Sequence, residues 1–413
     1  MSKRTPISSS SSTPTWETLE AFLRSEIQTR MQELLDEEVT AFLGRTPSQR
    51  RTAVDGAPGY RNGHQKGRKL TASFGTITVR RPRVRDVEER FESRLLPLFR
   101  RQTEEVAALL PELYLHGLSQ GDFELALRGL LGDGAPLSAS SIERLRARWQ
   151  SEYEAWTRCP LNDLELLYVW ADGIYVKAGL EREKACLLVV IAALSDGSKR
   201  VLALRSGYRE STESWKALML ELKARGLLPP KLLVADGIAG LWAAAGEVWP
   251  DVREQRCWNH KIANVLDQIP KKLQARAREE LCAIPYAQTR RETERLRDRF
   301  ARTWRRTYPN AVAILEKDWE RMVAFYDFPK EHWKHLRTTN VVESPFASVR
   351  LRTDAAKRFK KVENATALIW RLLRVAESRF RKIDAPHLAL DVYNGTRFVD
   401  GVKVTKTNQK VAA

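Results

Sequence analysis

The chain has 413 residues, enough for two or three domains at about 150 residues each. It carries 70 Lys and Arg against 52 Asp and Glu, a net charge of +18, which points to a polyanionic partner: nucleic acid first, an anionic membrane surface second. A hydrophobic fraction of 43% excludes a disordered chain, and four cysteines in this length exclude a disulfide framework.

The longest apolar run, Ala185 to Leu194, falls well short of the ~18 residues of a membrane span and reads as a buried strand. Met1-Ser-Lys-Arg4 precedes a serine run with no apolar stretch, so no secretory signal is expected and the chain reads as soluble, intracellular and reduced.

Residues 1–15, rich in Ser, Thr and Pro, are expected to be a disordered tail. Trp16 to Leu43 has helical apolar spacing, from Leu19, Phe22 and Leu23 through Val39 and Phe42. A Gly- and Arg-rich loop follows from Arg45 to Lys69, and Leu70 to Arg81 reads as a hairpin or bent strand around Gly75. Thr103 to Trp156 is helical again. Within it, Asp122 to Leu131, a Gly-Asp-Gly-Ala-Pro turn and Ser138 to Gln150 could form a helix-turn-helix for DNA or an ordinary helical pair.

Near residue 165 the pattern changes. Leu166 to Ala171, Ala185 to Leu194 and Arg200 to Leu204 read as three strands in meander, the first closed by Asp172-Gly173 and the second by Asp196-Gly197. Ser211 to Arg225 is a helix, with Ser211 as N-cap and Gly226 after its end. Lys231 to Ala235 is a strand ending at Asp236-Gly237. A short helix (Leu241 to Val248) and a short strand (Arg253 to Cys257) follow. The order β-β-β-α-β-α-β implies an α/β unit with a mixed sheet flanked by helices. From Lys261 to Arg337 the sequence is helical and charge-laced, with no strand signal. Helices are expected over Ser344 to Arg352 and Glu363 to Ile383, and an irregular tail from Ala385.

Asp172 and Asp236 each close an apolar strand. Two carboxylates at one sheet edge are the smallest cage for Mg²⁺, which takes one or two carboxylates plus phosphate oxygens and water. The plain alternative is a turn, since Asp-Gly after a strand is a common turn dipeptide. Cys257 and His260 form a C-x-x-H pair, which is half of a zinc site that His332 and His335 would have to complete. A buried Cys beside a bonded His is the alternative. Asn340-x-x-Glu343 fits a capping box, and Ser344-Pro345 fits an N-cap followed by N1, which starts the helix near 344 with Glu343 at its mouth. Trp258, Trp304, Trp319 and Trp333 read as helical core, with base stacking the alternative.

Several segments carry a family likeness. Gly59-Tyr-Arg-Asn-Gly63, Ser73 to Arg80, Leu113-Tyr-Leu-His-Gly-Leu-Ser119, Ala171-Asp-Gly-Ile174, Ala235-Asp-Gly237, Gln255-Arg-Cys-Trp-Asn-His-Lys261 and Thr338-Thr-Asn-Val-Val-Glu-Ser344 with Arg350-Leu-Arg352 resemble, in order and spacing, the motifs of the IS256 family of bacterial, Mutator-like insertion-sequence transposases. Proline at 345 departs from that pattern. The resemblance covers roughly residues 55–400.

It implies an RNase H-like catalytic core interrupted by an all-helical insertion, preceded by a mainly helical DNA-binding region and followed by basic helices. The corresponding layout is a tail (1–15), a DNA-binding and oligomerisation region (16–160), the first part of the catalytic domain (161–260), the insertion (261–337), the final catalytic helix with a basic helix (338–384) and a C-terminal tail (385–413). It further implies a metal triad of Asp172, Asp236 and Glu343 holding Mg²⁺, with Mn²⁺ as substitute, and Cys257, His260 and Asn340 in support. No structural zinc is expected.

Partners would be the terminal inverted repeats and target DNA, bound by a homodimer or higher oligomer in the cytoplasm at the nucleoid, with no membrane. Between Arg350 and Lys382, eleven basic residues face three acids. Arg350, Arg352, Lys357, Arg358, Lys360 and Lys361 are therefore candidate phosphate contacts, with Arg61, Lys66 and Arg68 as a second set. An RNase H-like nuclease or junction resolvase, or an inactive DNA-binding regulator, are the competing readings.

Overall fold

The computed structural model describes residues 14–50, 58–98, 100–115, 127, 131, 139–179, 184–207, 209–356 and 358–404. The expected tail up to residue 13, most of the 122–138 part of the helix-turn-helix reading and Lys357 lie outside these residues. The chain divides into two compact units, 1–145 and 146–413.

In the first unit, helix α1 (Leu19–Leu43) is followed by β1 (Tyr60–His64), β2 (Arg68–Ala72), β3 (Gly75–Val79), β4 (Pro82–Arg85) and helix α2 (Glu104–Leu115). The expected hairpin is present as the antiparallel pair β2–β3. The expected loop over 45–69 instead contains β1, which pairs antiparallel with β4 and so draws its order from a partner strand rather than from its own polar pattern. A small core gathers Leu35, Leu70, Ile77, Val79 and Leu96. Two glutamines of α1 satisfy the edge of β3. Gln28 accepts from Thr78 N at 2.8 Å, and Gln32 bonds both backbone groups of Arg80 at 2.9 and 3.0 Å.

Helix α3 (Ala139–Trp156) follows in the chain. The second unit is built on a five-stranded sheet. Its strands are β5 (Leu166–Val176), β6 (Ala185–Leu194), β7 (Lys199–Gly207), β8 (Leu232–Ala235) and β9 (Glu254–Arg256), in the spatial order β7-β6-β5-β8-β9. The first three are antiparallel; β8 and β9 add in parallel through α4 (Thr212–Ala224) and α5 (Ala239–Val248). This is the mixed sheet with flanking helices that the element order implies. Ser211 accepts from Ser214 N at 3.2 Å as the expected cap of α4.

Both faces of β5 and β6 are covered, which is why these strands read as continuous apolar runs. On one face Val169, Ala171, Leu233 and Ala235 meet Trp215, Leu218, Met219 and Leu222 of α4 and Leu241, Ala244 and Ala245 of α5 in one large core. On the other face Tyr168 packs edge-on against Phe328 and His332, and the Trp170 indole N–H donates to His335 O at 2.9 Å. Alternation along the strand therefore sends residues 168, 170 and 172 toward this second layer.

That layer contains α6 (Trp258–Leu266), α7 (Lys271–Ala283), α8 (Arg290–Trp304), α9 (Pro309–Glu316), α10 (Trp319–Val323) and α11 (Trp333–Leu336), with no strand among the described residues of 261–337. Trp258, Trp304 and Trp333 are buried in its core. Trp319 is half-buried, edge-on to Trp258 and stacked by Arg297 at 4.4 Å.

The chain continues through α12 (Asn340–Glu343), α13 (Phe346–Ala355) and α14 (Val362–Glu377). The last of these stops six residues before Ile383, whose N–H instead donates to Gly197 O at 2.9 Å. The expected irregular tail holds α15 (Pro386–Tyr393) and a short hairpin, β10 (Phe398–Val399) with β11 (Val402–Lys403). Ala389, Val392 and Phe398 anchor this tail by burial.

Candidate active site

Asp172 lies inside β5, opposite Val189, and not at a strand end as its Asp-Gly dipeptide suggested. Ile174 and Val176 continue the pairing with β6, so the strand runs on. Asp196-Gly197 is the plain turn, with Asp196 accepting from Ser198 N at 2.8 Å between β6 and β7.

The parallel register pairs Tyr168 with Leu232 and Trp170 with Val234. Asp236 follows β8 directly, so it stands level with Asp172. The register of β9, with Ala235 opposite Arg256, places Cys257 level with Asp236, and Cys257 N donates to Ala235 O at 2.7 Å. Two carboxylates and a thiol thus form one row across three neighbouring strands.

Glu343 arrives from the second layer. Its helix begins at Asn340, not near 344. Thr339 O accepts from Glu343 N at 3.0 Å and Asn340 O accepts from Ser344 N at 2.9 Å. Pro345 has no N–H to continue this ladder, so the helix breaks there and resumes as α13. Glu343 therefore closes a separate first turn. The capping box expected between Asn340 and Glu343 is not formed: the Thr339 hydroxyl donates to the Glu343 carboxylate, and Asn340 accepts from the Asn259 amide at 3.3 Å.

The acids and their neighbours fall into two groups. Asp172 and Asp236 are joined by Glu210, with one carboxylate oxygen of each within 4.8 Å of the others. Glu343 sits with Cys257 and His260 on the same criterion, its oxygen 3.9 Å from His260 Nδ1. Burial and the nearby Asp236, Glu210 and Glu343 push the Asp172 carboxyl up to about 7, against the pull of Gly173 N, which donates to it at 2.8 Å. Burial and Asp236 also raise Glu210. His260 is pushed up to about 9 by hydrogen bonding toward the Cys257 sulfur, with Glu343 and Asp236 adding to this and burial opposing it.

Cys257 is fully buried; its sulfur accepts from Thr339 N at 3.3 Å and lies 3.2 Å from the Thr339 hydroxyl oxygen. The histidines that would have completed a zinc site are engaged elsewhere: His332 bonds the Tyr168 hydroxyl at 2.8 Å, and His335 accepts from Asp384 N at 3.2 Å.

Carboxylates packed this closely repel one another, and they offer only hard oxygen donors. Both properties suit a small divalent cation such as Mg²⁺ or Mn²⁺. Gly237 shapes the rim. Its φ of +108° is a conformation that side chains rarely adopt, and a Cβ there would lie 2.2 Å from Arg256 Nε. Arg256 in turn bonds Asp318 at 3.0 Å, at the wall of a cavity of about 650 Å³ lined also by Trp242, Asn264 and Arg321.

The family model for "Transposase, Mutator family" matches residues 4–382. The chain belongs to the Mutator family of transposases. It is 43% identical over 296 residues to the transposase for insertion sequence element IS6120 of Mycolicibacterium smegmatis, covering 72% of this chain and 92% of that protein. It is 41% identical over 293 residues to the transposase for insertion sequence element IST2 of Acidithiobacillus ferrooxidans, covering 70% and 99%. Identity to the transposase for insertion sequence element ISRM5 of Rhizobium meliloti (strain 1021) is 31% over 353 residues, 84% and 85% of the two chains.

Within this transposase, the basic residues singled out from sequence divide. Lys66, Arg350, Lys360 and Lys361 are exposed. Arg358 is exposed and donates to Gly179 O at 2.9 Å. Arg61 bonds the Thr40 hydroxyl at 2.7 Å and Arg45 O at 3.0 Å, and Arg68 bonds Leu98 O and Pro97 O, so both guanidiniums brace the first unit. Arg352 is 2% exposed, which removes it from the phosphate-contact set: on α13 it falls on the inward face with Phe346 and Val349. Glu210 went unnoticed in the sequence because it precedes a capped helix like any surface acid. The available signals were the glycines at 173 and 240 that make room for it. No helix of the described residues is long and apolar enough to cross a membrane.

Proposed function

We propose that this chain is a DDE transposase that cuts the ends of its own insertion sequence and joins them to target DNA. The observation that carries the reading is the level placement of Asp172 in β5 and Asp236 just past the adjacent parallel strand β8, with the Glu343 turn packed on β5 and β6, in a member of the Mutator family. A sheet of three antiparallel strands extended by two parallel ones through helical crossovers supports an RNase H-like core over 161–260 and 338–384, with 261–337 as a helical insertion. Residues 16–160 are assigned to end binding and oligomerisation.

Asp172, Asp236 and Glu343 would hold Mg²⁺, or Mn²⁺ in its place, which when bound supplies Lewis-acid activation of a hydroxyl and stabilisation of a leaving oxygen. The protein supplies position. Asp172 and Asp236 are fixed by strand register. Glu343 is oriented by the Thr339 hydroxyl, which Cys257 also engages, and faces the His260 imidazole at 3.9 Å. Asn340 holds the start of that turn to Asn259 on α6.

In the first step water attacks phosphorus at the element's end. The P–O3′ bond breaks, leaving a 3′-hydroxyl on the element and a 5′-phosphate on the flank. In the second, that hydroxyl attacks a target phosphodiester, forming a new P–O bond as the target's P–O3′ bond breaks. Each step exchanges one ester or hydroxyl bond for another, so no covalent protein–DNA intermediate is needed. Lys66, Arg350, Arg358, Lys360 and Lys361 are assigned to DNA phosphates, with Lys357 alongside in the sequence.

The test is mobilisation in a bacterial host. The protein is expressed beside a marker flanked by the DNA that borders its gene, with Asp236→Asn in parallel. New junctions with the intact protein and none with the variant are expected. Equal junction frequencies with both would overturn the assignment.

A further inference from the structure

Glu210 enters the acidic row from the layer opposite to Glu343. It ends the loop after β7, immediately before the Ser211 cap of α4, and α4 packs on the face of the sheet made by Val169, Ala171, Leu233 and Ala235. Asp172 points to the other face. For the two carboxylates to meet, Glu210 has to pass the strand position next to Asp172, and that position is Gly173. A Cβ built on Gly173 would lie 2.3 Å from Glu210 Oε1 and 2.4 Å from its Cδ. The missing side chain is the passage through which Glu210 reaches the edge.

A second glycine seats the loop that carries it. At Gly240, on α5, a Cβ would lie 3.0 Å from Glu210 O and 2.8 Å from Thr212 N, so the backbone of this loop rests directly on the helix that follows Asp236. Glu210 is then held on Asp172 and Asp236 despite like charge, with a hydrogen bond from the Tyr175 hydroxyl and the nearby His260 opposing the repulsion. Two positions without side chains and a half-buried third acid beside two others are costly unless a cation joins them.

We propose that Glu210 is a fourth carboxylate of the metal centre, binding a divalent cation jointly with Asp172 and Asp236 from the α4 side while Glu343 binds from the insertion side. The proposal rests on the reading of Asp172 and Asp236 as metal ligands. It goes beyond the three-acid set by giving the cation a ligand on each face of the sheet.

The test is Mn²⁺ binding by the full chain without DNA, followed by electron paramagnetic resonance and calorimetry. Thermal melts run beside it to confirm that each variant is folded. Glu210→Gln is expected to weaken Mn²⁺ binding about tenfold or more, the least that losing a ligand or its support costs in metal sites. Glu210→Asp, which keeps the charge but withdraws the carboxylate by one methylene, should lose as much. Gly173→Ala, whose backbone tolerates a side chain, should reproduce the loss by displacing Glu210 while Asp172 and Asp236 stay in place.

If Asp236→Asn abolishes binding but Glu210→Gln binds like the intact protein, the fourth ligand is refuted and the metal centre stands. Wild-type binding by Glu210→Asp also refutes it, because the acid would then contribute only charge. If Asp172→Asn and Asp236→Asn both bind like the intact protein, the underlying reading fails together with the proposal.

Discussion

Replacing Asp172 by Asn should make the metal-free protein more stable while removing its function. The fold holds this carboxyl at about 7 instead of its ordinary 3.8, through burial and the neighbouring Asp236, Glu210 and Glu343. At about 1.4 kcal/mol per pH unit, that displacement sets a ceiling of about 4 kcal/mol on the cost of the ionised form at pH 8. Asn keeps the acceptor for Gly173 N, and relaxation of the surrounding acids lowers the gain, so about 2 kcal/mol is expected.

The sign follows from proton counting. Between the two values the folded chain holds a proton that the unfolded chain has released, so stability falls as pH rises from about 4 to about 7 and levels off above. Urea unfolding in the presence of a chelator, at pH 8 and pH 4.5, reads the effect. The variant should lead clearly at pH 8, and its lead should shrink below about 1 kcal/mol in acid, where the native carboxyl is neutral. Millimolar Mg²⁺ should narrow the gap at pH 8 by stabilising only the intact protein through mass action. A variant no more stable than the parent at pH 8, or a gap insensitive to acid, would refute the view that these acids are held together against repulsion.

Other substitutions probe the surroundings. Gly237→Ala forces a side chain into a φ of +108° and onto Arg256, and should cost about 1–3 kcal/mol in a thermal or urea melt, with loss of the Arg256–Asp318 pair. Tyr168→Phe removes the Nδ1 partner of the buried His332, whose Nε2 bonds Ala385 O at 3.4 Å, and should cost about 1–3 kcal/mol; no change in the melt would show that Nδ1 finds another partner. Replacing Lys360 and Lys361 by Ala should weaken DNA binding at all sequences and flatten the slope of log affinity against log salt by about 2, whereas Arg352→Ala should lower the melting temperature because that side chain is buried. An unchanged salt slope would remove the lysine pair from the DNA surface.

The parts of the fold that were legible in sequence are those whose partners are all apolar. β6 runs as Ala185 to Leu194 because both faces are covered, and its continuous hydrophobicity survives any register. α4 announced itself through Ser211, and Asp236 through the end of β8. Elements that borrow their stability were not legible. β1 is exposed along most of its length and exists by pairing with β4. β5 continued past its Asp-Gly because the signal for a turn was outweighed by ten pairings with β6. The Glu343 turn started four residues early because Thr339, not Asn340, supplied the carboxylate's partner. Glu210 could be found only by asking what the absent side chain at Gly173 makes room for, which is a three-dimensional question.

DNA chemistry at Asp172, Asp236 and Glu343 is tested most directly with purified components. The full chain is mixed with DNA carrying the border of its own gene, a target plasmid and Mg²⁺, and the 3′ ends are mapped to the nucleotide. Cleavage at the element boundary and joining of that 3′ end to the plasmid are expected with the intact protein. Asp236→Asn should retain DNA binding and leave both strands whole. Cleavage and joining by Asp236→Asn at the rate of the intact protein would place the chemistry elsewhere in the chain.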